Sequence, residues 1–166
     1  MIDYVRDIKK EALALHKALK GKISITNKID DINKDNLSLL YSPGVAHASM
    51  EIAQDESKLS DYTWTSNTVA VISNGTAVLG LGDIGAKGAL PVMEGKALLF
   101  KTFADVNAVP LVIDTQDPDE VIRFCEMVAP TFGGINLEDI KAPECVYIEE
   151  TLKERLNIPV FHDDQH

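Results

Sequence analysis

The sequence predicts an α/β protein: a parallel-rich sheet flanked by helices, with an N-terminal helical segment and a β-hairpin near residues 67–81. Three observations lead there. The second half alternates short apolar runs with helix-period segments, the pattern of a parallel sheet covered by helices. The first forty residues carry apolar residues at helical spacing among charges. Asn74-Gly75 splits two β-rich runs, and Asn-Gly is the preferred pair for a tight hairpin turn because both residues accept positive φ.

The elements follow in order. Val5, Ile8, Ala12, Leu15 and Leu19 mark an amphipathic helix that ends near Gly21. A polar stretch turns apolar and breaks at Ser42-Pro43-Gly44, which places Tyr41 at a turn. A short helix is expected through HASMEIAQD, then the two arms NTVAVISNG and TAVLGLG, then a helix over LPVMEGKALLFKTFADV with Gly95 a weak spot inside it. AVPLVID reads as a buried strand. DPDEVIRFCEMV is a helix with Asp117 as N-cap, Pro118 at its first position and Glu120 three residues past the cap. FGGINLED reads as a strand ending in carboxylates. APECVYIEETLKERLN is a helix opened by Pro143 and striped by Ile148, Leu152 and Leu156, and IPVFHDD is a last strand.

Composition narrows the function classes. The 166 residues suffice for one domain with a real core. With 26 acidic and 16 basic residues the net charge is −10, which argues against nucleic acid or anionic membranes as partners. Cys125 and Cys145 have no metal-ligand spacing and read as reduced packing residues. The N-terminus has no apolar core of a secretory signal, and no apolar run approaches about 20 residues, so a cytoplasmic protein is the expectation. The chain ends on IPVFHDDQH, a strand end crowded with polar residues. Ligands of open α/β sheets bind at such ends, so more chain is expected to follow.

Gly80, Gly82 and Gly85 spell G-x-G-x-x-G, a dinucleotide fingerprint if it joins a strand to a helix. Three points oppose that reading. The preceding strand looks like a hairpin arm. Asp83 would place a carboxylate in the phosphate loop. Asp105 precedes a strand instead of ending one. The competing reading is a tight turn that brings Asp83 and the next helix close to a small substrate.

Two acidic clusters close apolar runs: Glu138-Asp139 and Asp163-Asp164. If their strands are parallel neighbours, the carboxylates converge, which is costly without a cation. Oxygen donors suit Mg²⁺ or Mn²⁺. Solvated loop acids or helix caps are the bland alternative. Lys96 and Lys101 share one helix, and a lysine beside a metal can serve as a base. His162 and His166 are weaker ligand candidates, and Trp64 and Tyr62 read as packing aromatics.

YSPGVA, VAVISNGTAVLGLGDIGAKGALPVMEGKALLFK, PTFGGINLEDIKAPECVYIE and IPVFHDDQH together resemble the amino-terminal domain of bacterial-type malic enzymes, in the family's order and with about its spacing. The resemblance covers about Leu39 to His166. It implies an oxidoreductase that converts malate to pyruvate and CO₂, with NAD or NADP reduced and Mg²⁺ or Mn²⁺ required. Tyr41 and Lys96 then take the places of the catalytic tyrosine and lysine. Glu138, Asp139 and Asp164 take those of the metal ligands, with Asp83 and Asp163 just outside the ligand set and Thr76 toward the cofactor. A homodimer is implied, with residues 1–40 helical and a contact surface, and residues 41–166 the substrate and metal domain. The NAD(P)-binding Rossmann domain of the family is absent from this sequence, so GLGDIG becomes a structural turn and the isolated chain is expected to be inactive. Ala77 stands where larger eukaryotic malic enzymes carry a substrate-binding arginine. Malolactic enzyme, oxaloacetate decarboxylase and a non-catalytic binding domain remain alternatives on the same scaffold.

Overall fold

The parallel sheet of the computed structural model, which describes residues 7–162, has four strands: β1 (Thr68–Ser73), β2 (Asn107–Val112), β3 (Gly134–Leu137) and β4 (Val160–His162). Their order is β2-β1-β3-β4. Ala70 pairs with Val109 on one side and Ile135 on the other, and Leu137 pairs with His162.

Each strand is followed or preceded by a helix that the sequence marks. Between β1 and β2 runs α5 (Gly85–Ala104), between β2 and β3 runs α6 (Pro118–Val128), and between β3 and β4 runs α7 (Glu144–Arg155). The Asp117 side chain accepts the Asp119 N–H at 2.9 Å, and Pro118 opens α6, as expected of a cap followed by proline. The first crossover moves to one side of β1 and the next two move to the other. Right-handed connections then put α5 on one face of the sheet and α6 with α7 on the opposite face. Ala70, Ile72, Ile135 and Leu137 accordingly form one core with Val121, Cys125, Ile148 and Leu152. α5 packs over β1 and β2.

The hairpin expected over residues 67–81 does not form. β1 is a central strand, with β2 on one edge and β3 on the other, so no edge is left for a second arm. Asn74-Gly75 turns the chain toward α5 instead. The Gly75 carbonyl accepts the N–H groups of Ile84 (3.1 Å) and Gly85 (3.2 Å). Gly75 has φ +73°, and a Cβ there would stand 2.2 Å from the Gly85 oxygen. The intended second arm is reduced to one antiparallel bridge, Val78 to Gly82.

The N-terminal part holds α1 (Ile8–Leu19), α2 (Lys34–Leu40), α3 (Val45–Gln54) and α4 (Leu59–Tyr62). Asp7 caps α1 through the Lys10 N–H, and Asn33 forms a reciprocal capping box with Asn36. Residues 20–33 are not helical, so the helical reading of residues 1–40 holds only for α1 and α2 among the described residues. None of these four helices has a buried residue. Lys22 ties the segment to α5: its N–H meets Glu94 Oε2 at 3.1 Å and its Nζ meets the Pro91 carbonyl at 2.7 Å. Trp64 is a packing aromatic, stacked on Phe132 at 6.4 Å with its indole N–H on the Thr131 carbonyl. Among the described residues no helix is long and apolar enough to cross a membrane.

Candidate active site at the carboxyl ends of β1 and β3

Adjacent strands β1 and β3 send their following connections to opposite sides of the sheet. That reversal opens a crevice at their carboxyl ends, the place where open α/β sheets bind ligands. The residues there are the loop 74–84 after β1 and Glu138-Asp139 after β3.

β3 runs directly into the acids. The Glu138 N–H continues the ladder to the Ile72 carbonyl at 2.8 Å. Alternation along a strand puts Asn136 and Glu138 on one face, and the register with Val71 makes it the α5 face. Lys96 reaches down from α5, and its Nζ lies 3.0 Å from Glu138 Oε2. Asn136 Nδ2 donates to the same oxygen at 3.0 Å. Lys96 keeps 22% of its side-chain surface and Glu138 9%, so this ion pair is withdrawn from most of the solvent screening that weakens surface pairs. Lys101, on the same helix, points elsewhere, to Asp105 and Asn107.

At Asp139 the chain turns into the left-handed region, φ +54°, which aspartate tolerates better than most residues. Asp139 is 4% exposed and its carbonyl accepts the Ala77 N–H at 3.0 Å. Thr76 completes the stitch. Its hydroxyl donates to Asn74 Oδ1 at 2.7 Å and accepts the Lys141 N–H at 3.0 Å. The loop after β1 is thus sewn to the loop after β3, with Ala77 at the seam.

Asp83 stands farther along the same loop. It accepts the Gly85 N–H at the start of α5 and the Gln116 side-chain amide at 2.8 Å. The glycine run does sit between a strand and a helix of a parallel βαβ unit, which removes the hairpin objection to a dinucleotide loop. The other objections gain weight. β1 ends at Ser73, well before Gly80, and Leu79 and Leu81 project into solvent at 71% and 67% exposure. Asp83 occupies the Gly85 N–H, one of the donors at the helix start that a phosphate would need.

Tyr41 is the C-cap of α2 and is 70% exposed. Its side chain makes no hydrogen bond among the described residues, whereas Lys96 and Glu138 meet directly. Asp163, Asp164 and His166 lie outside the described residues. Among those described, no three His, Cys, Asp or Glu side chains gather into a metal-binding group. The donor set still suits a hard divalent cation: two adjacent buried carboxylates, oxygen donors only.

Two residues escape a reading of the sequence alone. Asn136 is fully buried, and its Oδ1 has no hydrogen-bond partner among the described residues. The signal for it is the i, i+2 spacing to Glu138, visible only once β3 is accepted as a strand. Glu149 is 3% exposed on the inward face of α7. Its carboxylate meets the His162 backbone N–H (3.1 Å), His162 Nε2 (3.2 Å) and Lys153 Nζ (2.9 Å). Burial pushes its carboxyl up, but Lys153 and the His162 amide outweigh that and hold it below the usual range.

A family model described as "Malic enzyme, N-terminal domain" matches residues 19–118 and 115–153. The chain belongs to the malic enzyme family. It is 55% identical over 159 residues to the "Bifunctional malic/malolactic enzyme" of Bacillus subtilis, covering 96% of this chain and 39% of that protein. It is 58% identical to the "NAD-dependent malic enzyme" of Geobacillus stearothermophilus, covering 88% of this chain and 30% of that one. The crystal structure of the NAD-dependent malic enzyme of Thermotoga maritima superposes with a TM-score of 0.91 at 52% identity, over 93% of this chain and 41% of that chain. The chain therefore spans well under half the length of these malic enzymes and matches their N-terminal domain.

Proposed function

We propose that this chain is the substrate- and metal-binding part of an NAD(P)-dependent malic enzyme that decarboxylates malate oxidatively to pyruvate and CO₂. The observation that carries it is the Lys96–Glu138 pair at the crevice, beside buried Asp139, in a chain of this family. Glu138, Asp139 and Asp164 would hold Mg²⁺ or Mn²⁺. When bound, the cation supplies Lewis-acid stabilisation of charge on the C2 oxygen, and the nicotinamide supplies a hydride acceptor.

The chain's own groups move the protons. Lys96 Nζ takes the C2 hydroxyl proton as the alcohol is oxidised, a role that its station at the crevice beside Glu138 supports. Asn136 holds Glu138 from below, so the carboxylate keeps its aim when Lys96 changes charge. Loss of CO₂ from the resulting β-keto acid leaves C3 in need of a proton, and Tyr41 gives it. Thr76 would serve the cofactor, and Asp83 and Asp163 would act from outside the direct ligand set. Because Tyr41 sits on the exposed N-terminal segment, association of that segment with a second copy is part of this reading: a homodimer in the cytoplasm.

Product analysis tests the activity. The intact protein with malate, Mn²⁺ and NAD⁺ or NADP⁺ yields pyruvate and one reduced nucleotide per CO₂. Lactate as the product, or no turnover with either nucleotide, contradicts the proposal.

A further inference from the structure

We propose that Thr76 is a positioning residue for Asp139: its buried hydroxyl locks the loop after β1 onto the loop after β3, and that lock holds the Asp139 backbone in the left-handed turn from which its carboxylate is offered to a cation. This rests on the assignment of Asp139 as a metal ligand above.

Asp139 needs something to hold it. Its φ of +54° lies in the left-handed region, which a residue other than glycine keeps only where its surroundings over-determine it. Here the surroundings are hydrogen bonds to β1 and the loop that follows it. The Glu138 N–H reaches the Ile72 carbonyl at 2.8 Å, and the Asp139 carbonyl accepts the Ala77 N–H at 3.0 Å. Two residues on, the Lys141 N–H donates to the Thr76 hydroxyl at 3.0 Å. The turn is thus sewn to the same neighbour before, at and after Asp139.

Of these three bonds, only the last runs through a side chain. Thr76 is buried, and so is Asn74 beside it. The Thr76 hydroxyl gives its proton to Asn74 Oδ1 at 2.7 Å, and the same oxygen accepts the Thr76 N–H at 3.3 Å. Two bonds to one acceptor fix both the backbone and the side chain of Thr76. With its proton committed to Asn74, the hydroxyl oxygen meets Lys141 as an acceptor. Valine at position 76 would keep the shape and leave the Lys141 N–H without that acceptor, and a buried donor left unpaired is costly. The turn would then relieve that cost by moving, and Asp139 would move with it. This task is separate from any contact between Thr76 and the cofactor, and metal binding without nucleotide reads it alone.

The test is binding of Mn²⁺ alone to the intact protein, without nucleotide or malate, read from the electron spin resonance signal of the free ion. Groups that orient metal ligands typically contribute roughly 10–100-fold to metal affinity. Thr76→Val is expected to raise the Mn²⁺ dissociation constant about tenfold or more. Thr76→Ser, which restores the hydroxyl, recovers most of the affinity. Ile148→Val, which trims the core on the α7 side of the sheet, lowers the thermal midpoint and leaves Mn²⁺ affinity at the wild-type value. A folded Thr76→Val protein with wild-type affinity, beside an Asp139→Asn protein that has lost Mn²⁺, overturns the positioning role and leaves the metal assignment standing. An Ile148→Val protein that loses as much affinity as Thr76→Val overturns it too, because the loss then follows stability alone. Wild-type affinity in Asp139→Asn removes the metal assignment, and the role of Thr76 falls with it. Should Thr76→Val fail to fold, hydrogen exchange in the wild-type protein decides. Coupling between two events is reciprocal, so added Mg²⁺ slows exchange of the Ala77 and Lys141 amides, and unchanged exchange contradicts the proposal.

Discussion

Lys96 and Glu138 meet at 3.0 Å, mostly out of water, and everything proposed for the chemistry turns on that contact. Replacing Lys96 by alanine removes the proposed proton acceptor and leaves the carboxylates in place. The expected loss in kcat is about 10²–10⁴-fold. Malate affinity stays within about tenfold, or ~1.4 kcal/mol. Steady-state kinetics on the intact protein reads both, and retained turnover removes Lys96 from its role. Cys125 offers a second check at this scale. Burial pushes its thiol up to about 12, so it is a packing residue without thiolate character at neutral pH. Native protein treated with a thiol reagent at pH 7 leaves Cys125 unmodified, and unfolding releases it. Glu149 sets a pH dependence. Its carboxyl lies lower in the folded state than in an unfolded chain, where glutamate titrates near about 4.3. The stability it contributes is present above that value and is lost as pH falls through the lowered folded one. Thermal midpoints of wild type and Glu149→Gln therefore differ at pH 6 and converge in acid.

Among the elements, α6 was the easiest to read, because Asp117 and Pro118 state its start in local chemistry that no tertiary contact needs to supply. The loop after β1 was the hardest. Asn74-Gly75 has the composition of a hairpin turn, and what denies the hairpin is that β1 has neighbours on both edges, a fact about strands that lie 34 and more residues away in the chain. The glycine is used for close approach instead. Gly75→Ala sets a Cβ against the Gly85 oxygen at positive φ and is expected to lower stability by about 1–3 kcal/mol. At Gly80 a Cβ meets nothing, and Gly80→Ala is expected to stay within about 0.5 kcal/mol. Urea unfolding of the two variants separates a glycine needed for packing from one that only decorates the loop. Asn136 and Glu149 were illegible for a related reason. Which face of a strand or helix a polar residue takes depends on the register and on the layer packed against it.

For the whole molecule, the strand order could not be read from the sequence, and the order is what places the site: the reversal between β1 and β3 brings the loop of Thr76 against Asp139. Four carboxylates at two chain-distant strand ends did suggest convergence, and the pair that follows β3, Glu138 and Asp139, is buried at the crevice. The N-terminal helices leave Leu13, Leu15, Leu19, Leu39 and Met50 more than half exposed, too much apolar surface to face water unassisted. Association through this segment predicts that the intact protein sediments as a dimer and that Leu15→Glu with Leu19→Glu shifts it toward monomer. A monomeric wild-type protein at micromolar concentration contradicts that assembly. The most direct test of the account is anomalous diffraction from crystals of the intact protein grown with Mn²⁺. The account predicts one peak within about 2.0–2.6 Å of oxygens from Glu138, Asp139 and Asp164, with Lys96 adjacent. A peak bound elsewhere, or none at saturating Mn²⁺, contradicts it.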